Sequence, residues 1–251
     1  MAPGPRVGKE SGSMQRPKRL RPGDTFAVVS LSWGGLVSFY GPSVMGEFGE
    51  YVEMPGYTRK AVSDILFGAW ERYSLPPSGE WTDSHIPWGE ENIHTPYAMK
   101  KDLRGYEVLN GAGKARGHLL GGCLDGFMML SGTRLWPPLQ AWKGAILFVE
   151  TSEEKPSPDF VKRTFRNLAA QGILKVLHGI IVAKPQDEVY YEQYKASILQ
   201  VAVPEEALRD LPIFYNVNFG HAKPIGIIPY GIQAELNCGR RTITFLECPT
   251  V

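Results

Sequence analysis

Two kinds of apolar spacing divide the chain. Continuous runs at 26–29, 144–149, 176–183 and 212–219 predict strands buried on both faces, where no polar alternation is needed. Other stretches repeat with the helical period. Val62, Ile65, Leu66, Ala69 and Tyr73 share one face, with Thr58 placed to cap the helix. Ser157-Pro158-Asp159 is a compact helix start, offering a capping hydroxyl, a proline in the first turn and an acid at the positive end of the dipole. Val161, Phe165, Leu168 and Ala169 then line one face and Gly172 supplies a stop. Tyr191, Tyr194, Ile198 and Val201 predict a further helix, and 124–130, after the GHLLGG run at 117–122, a short one. Residues 232–237 and 242–247, joined across 238–241, predict a closing hairpin. Strands alternating with helices imply an α/β core with a parallel or mixed sheet.

Two stretches fit less well. A run at 36–40 ends at Gly41-Pro42, only five residues after the first strand. Five residues close a hairpin, whereas parallel neighbours need a crossover of about a dozen. Residues 74–96 are crowded with Pro, Ser, Trp and His without a period and read as a linker or surface excursion.

Composition narrows the function classes. The 251 residues hold 43% apolar and 21% charged side chains, and 27 Lys and Arg nearly balance 26 Asp and Glu. That balance provides no field for gathering nucleic acid or anionic lipid. No run of eighteen apolar residues marks a membrane span. Cys123, Cys238 and Cys248 form no CxxC pair, and their apolar neighbours suit reduced, buried thiols in a cytoplasmic protein. The five histidines are scattered without HExxH, so the expectation is no metal and no cofactor. Residues 1–20 read as a loose basic leader without the apolar core of a secretion signal.

Two residues stand where chemistry is placed in α/β sheets. Glu150 ends an apolar strand, either as a surface acid or as a functional carboxylate beyond a strand's carboxyl end. His221 lies between Gly220 and Ala222-Lys223-Pro224, in a turn that suits either a satisfied ring hydrogen bond or a general base. Ser43 sits in GPSVMG, where Met45 replaces the second glycine of a nucleophile elbow, so a turn serine is the better reading. Ser30 and Ser32 have no supporting motif. Gly121-Gly122 suits close packing rather than a phosphate cradle. Glu47, Glu50 and Glu53 form a solvated or substrate-facing edge, and Trp81 and Trp88 could anchor a loop or stack on a ligand.

Five blocks occur together: GDTFAVVS, VSFYGPSVMGEFGE, GHLLGGCLDGFMMLSGT, GAILFVETSEEKPSP, and NFGHAKP followed by IPYGIQAEL. In this order they resemble the LD-carboxypeptidase family of serine peptidases, in particular its microcin C self-immunity branch, over most of 21–247. The resemblance implies a truncated N-terminal α/β domain (21–54), a helix and linker (55–104) and a mixed-sheet C-terminal domain (105–251). It implies a Ser-Glu-His triad in which Glu150 and His221 are the acid and the base, with Asn218 replacing the family's usual Asp. A small peptide or peptidyl-nucleotide substrate and a homodimer follow from it, while the charge balance and the lack of a long apolar run lead to the expectation of no nucleic acid and no membrane partner. The family's G-x-S-D nucleophile motif is missing, as though βα units were excised at the joint between residues 35 and 36. The expectation is therefore a serine-type hydrolase impaired in catalysis, with a ligand-binding paralogue or a truncated product as alternatives.

Overall fold

The computed structural model describes residues 15–21 and 37–251. The strand expected at 26–29, Ser30, Ser32 and the 35–36 joint lie outside the described residues.

Among the described residues, eight strands form the main sheet: β1 Tyr73–Leu75, β2 Glu107–Asn110, β3 Lys114–Cys123, β4 Ile146–Glu150, β5 Gly179–Ala183, β6 Ile213–Val217, β7 Gln233–Asn237 and β8 Thr242–Phe245. Their order across the sheet is β1-β8-β7-β3-β4-β5-β6-β2. The central β3, β4, β5 and β6 run parallel, and the flanking pairs are antiparallel. β4 and β5 are buried at every position, as continuous apolar runs require when both faces are covered. The hairpin of β7 and β8 closes where the turn residues predict.

Alternation along the strands feeds two cores. Leu120, Leu147, Val149, Ile180 and Val182 pack with Val161, Phe165 and Leu168 of one helix and Tyr194 and Ile198 of the next. Leu119, Ile146, Phe148, Ile181 and Phe214 point the other way, onto Ile65, Ile228 and Phe245. Sheet and covering layers are therefore a mixed α/β arrangement. Among the described residues the longer helices are α1 Gly56–Val62, α2 Leu124–Met128, α3 Pro158–Ala170 and α4 Tyr191–Gln200, and a single helical turn spans Leu139–Trp142. Ser157 caps α3 by accepting the Phe160 amide, and Pro158 occupies its first turn. Phe165 is fully buried, and burial of a side chain of that size contributes about 1.5–3 kcal/mol.

Four departures from the sequence reading matter. Thr58 is not a cap: α1 starts after Pro55, and the buried Thr58 hydroxyl accepts the Ile225 amide, 3.0 Å away in the loop that carries His221. The stretch read as a linker adds β1 to the sheet edge, and Glu80–Trp81 pairs with Lys100–Lys101. Residues 15–20, read as part of a leader, are tied down by backbone bonds from Arg19 to Val251 and from Leu20 to Leu66. The cysteines are free but half-buried rather than fully enclosed.

Candidate active site

β3 and β4 end together. Their parallel register sets Cys123 beside Glu150, so both side chains leave the sheet at neighbouring strand ends. β3 comes close to β4 through Gly121, where an added Cβ would stand 1.7 Å from the Phe148 carbonyl oxygen. Only glycine fits there, which confirms packing as the role of that residue.

His221 arrives from beyond β6. The chain turns through Gly220 at φ +84°, and a Cβ on Gly220 would lie 2.6 Å from the Glu150 carboxylate. Glycine thus serves twice, permitting the left-handed turn and leaving room for the acid. The Gly226 amide bonds to the Asn218 carbonyl at 2.7 Å, pinning the far side of the loop. Asn218 is itself buried: its Oδ1 accepts the Ser78 amide, while its Nδ2 has no partner among the described residues.

The two sequence candidates meet. His221 Nδ1–H donates to both Glu150 oxygens, at 2.9 and 3.0 Å. Glu150 is 1% exposed and also accepts the Tyr40 hydroxyl, which fixes its orientation. On the opposite edge of the ring, Nε2 lies 2.9 Å from the Glu153 carboxylate. Carboxylates thus stand at both ring nitrogens, one hydrogen-bonded at Nδ1 and one at ion-pair distance from Nε2. The hydrogen bond to Glu150 raises His221 above the ordinary histidine value; burial opposes it, and the charges of Glu150, Glu153 and Glu47 add to the rise.

Cys123 is a site residue that the sequence reading did not identify. Its sulfur, a Glu150 oxygen and a His221 nitrogen all lie within 4.8 Å of one another. Burial, then the negative Glu150, pushes the thiol up to about 12. That thiol is protonated at neutral pH and makes a poor nucleophile. The signal was present in the sequence only as a cysteine ending the GHLLGG strand, and its pairing with Glu150 emerges from register alone.

A cavity of about 460 Å³ opens beside His221, with Lys223, Glu50, Tyr97 and Trp88 in its walls. Lys223 Nζ binds Glu50 and the Tyr97 hydroxyl, and Glu47 lies 3.9 Å away. Burial alone would lower the Lys223 ammonium, but Glu50 and Tyr97 outweigh it and raise it. Trp88 stays 61% exposed, its ring meeting Tyr51 edge-on at 5.0 Å. Trp81, in contrast, is buried under the Lys184 and Lys100 ammonium groups, an anchor rather than a free stacking face. Ser43 serves its turn: its hydroxyl accepts the Gly46 amide, while its own amide donates to Glu47. Glu53 points outward to Arg59.

Fold and site together define an α/β protein with a carboxylate–imidazole pair assembled at the carboxyl end of its parallel strands. Residues 116–236 match the LD-carboxypeptidase C-terminal domain, so this part of the chain carries a domain of that family. A putative carboxypeptidase of Vibrio cholerae is 28% identical over 209 residues, covering 83% of this chain and 59% of that protein. The microcin C7 self-immunity protein MccF of Escherichia coli is 26% identical over 231 residues, covering 89% and 64%. The crystal structure of an MccF-like protein from Streptococcus pneumoniae in complex with AMP superposes with a TM-score of 0.75 at 30% identity, covering 84% of this chain and 64% of that one. The chain therefore spans about three-fifths of the length of these relatives. No helix among the described residues is long and apolar enough to cross a membrane.

Proposed function

We propose that this chain is a serine-type hydrolase scaffold of the LD-carboxypeptidase type that binds a small peptide or peptidyl-nucleotide and turns it over slowly or not at all. Glu150 and His221 are its acid and base. The observation that carries this reading is the Glu150–His221 bond beside the cavity, with a carboxylate rather than a hydroxyl at Nε2. In a working triad Nε2 takes the proton of the nucleophile, while the acid on Nδ1 holds the tautomer and balances the charge. Here the orienting half is built and the nucleophile motif is missing from the sequence. Trp88, exposed at the cavity wall, suits a guest with a flat ring. The MccF-like relative solved with AMP supports a nucleotide portion in that guest.

Calorimetric titration of the full chain with an aminoacyl-adenylate analogue and with a muropeptide, alongside a turnover assay on both, tests the reading. Saturable binding of one of them with turnover at the background level is expected. Robust serine-dependent hydrolysis that His221→Ala abolishes would show the enzyme to be intact and overturn the impairment. A second reading, a binding paralogue that never required the dyad, predicts unchanged affinity in Glu150→Gln and no turnover in either protein.

A further inference from the structure

We propose that Cys123, Glu150 and His221 form a site for a borderline-soft divalent cation of the zinc class, a role separate from the hydrolytic one. Thiolate, carboxylate and imidazole are the three donor types that zinc takes, and three protein ligands with one open position is its catalytic arrangement. The donor atoms already lie within 4.8 Å of one another. Around a tetrahedral zinc ion with bonds of about 2.0–2.3 Å, donors sit roughly 3.3–3.8 Å apart, so side-chain rotation of about an ångström closes the set.

Backbone architecture fixes two of the three donors. Cys123 and Glu150 are register partners on adjacent parallel strands, and Gly220 brings the histidine loop against Glu150 without a side chain between them. Glu150 also has the supporting shell that metal-binding carboxylates require, through the Tyr40 hydroxyl. Asp125 Oδ2 stands 3.7 Å from the Cys123 sulfur and is itself held by the Ser152 amide at 3.0 Å. Glu150 and Glu153 thus stand at the imidazole and Asp125 beside the thiol, a concentration of negative charge that a divalent cation neutralises. Glu150 is buried, whereas the His221 side chain is 37% exposed and lines the cavity, so the imidazole is the donor reached from that side.

Cobalt(II) is the probe, because thiolate ligation gives an intense sulfur-to-metal charge-transfer band in the near ultraviolet. The full chain, stripped with a chelator, is titrated with Co²⁺. The expected result is one equivalent bound, the charge-transfer band present, and its loss on adding Zn²⁺. Cys123→Ser should abolish the band while Cys238→Ser leaves it, and His221→Ala should weaken binding by about tenfold or more. A second measurement uses the unmutated chain, so that misfolding of a variant cannot decide the matter. Zn²⁺ should slow alkylation of Cys123, read by peptide mass spectrometry, and leave Cys238 and Cys248 unaffected. Absence of the band, its persistence in Cys123→Ser, or alkylation of Cys123 unchanged by Zn²⁺ would each overturn the proposal. None of these readings depends on bond cleavage, so they stand or fall separately from the hydrolytic function.

Discussion

Gly220 carries more of the site than any charged residue does. Its positive φ and the 2.6 Å clearance to Glu150 are both lost when a methyl group is added. Gly220→Ala should destabilise the fold by about 1–3 kcal/mol in urea unfolding and lengthen the Glu150–His221 bond. A downfield imidazole N–H proton resonance, expected in the parent protein, should weaken in the variant. Sequence made Glu150 and His221 visible as a strand-end acid and a turn histidine. It could not show that they touch, since 71 residues separate them and the contact depends on how β4 and β6 flank β5. Glu153 and Cys123 escaped notice for the same reason. Each looks like an ordinary polar neighbour until register and loop geometry aim it at the ring.

Among the elements, β4, β5, β6 and α3 were the most legible, because their signals are local, whereas the glycines of β3 hid a strand. The continuous apolar runs at 144–149, 176–183 and 212–219 mark strands buried on both faces, and Ser157-Pro158 marks a helix start whatever surrounds it. Ser157→Ala removes the oxygen that accepts the Phe160 amide and should cost about 1 kcal/mol, read as a shift in the urea midpoint without a change in slope. The least legible elements were β1 and the short pair Glu80–Trp81 with Lys100–Lys101. These strands have two or three residues, too few for a period to show, and are defined by their partners across the sheet. Thr58 illustrates the same limit, since a hydroxyl near a helix start suggests a cap until the Ile225 amide is found on it.

Across the whole molecule, one buried ion cluster ties the segment before β2 to the ends of β5 and β6. Lys184, with a fully buried side chain, meets Asp102 at 3.2 Å, Glu188 at 2.6 Å and the Asn216 amide oxygen at 3.3 Å. Removing Asp102 leaves much of that ammonium uncompensated, and Asp102→Ala should destabilise by about 3–5 kcal/mol. Burial pushes the Asp102 carboxyl up, but the Arg104 amide, the Lys184 charge and the Asn216 amide outweigh it and hold the carboxyl below its ordinary value. A depressed folded value stabilises above the unfolded carboxylate range near pH 4 and is lost as pH falls through it. Stability should therefore decline between about pH 5 and pH 3. Asp102→Asn should flatten that decline in a series of urea titrations. The two cores share one sheet, so far-ultraviolet dichroism and tryptophan fluorescence should lose signal in a single coincident transition. Separate transitions would favour the truncated-product alternative.

The carboxylate on Nε2 makes Glu153 a tethered rival to whatever enters the cavity. A guest that needs the imidazole must displace a group held at an effective concentration of order millimolar, so apparent affinity falls by the factor with which that rival already occupies the ring. Incoming molecules bearing their own acid exchange like for like, while neutral amides surrender a charge-assisted bond without replacing it. Selection among guests is thus written partly into a side chain that none of them touches once bound.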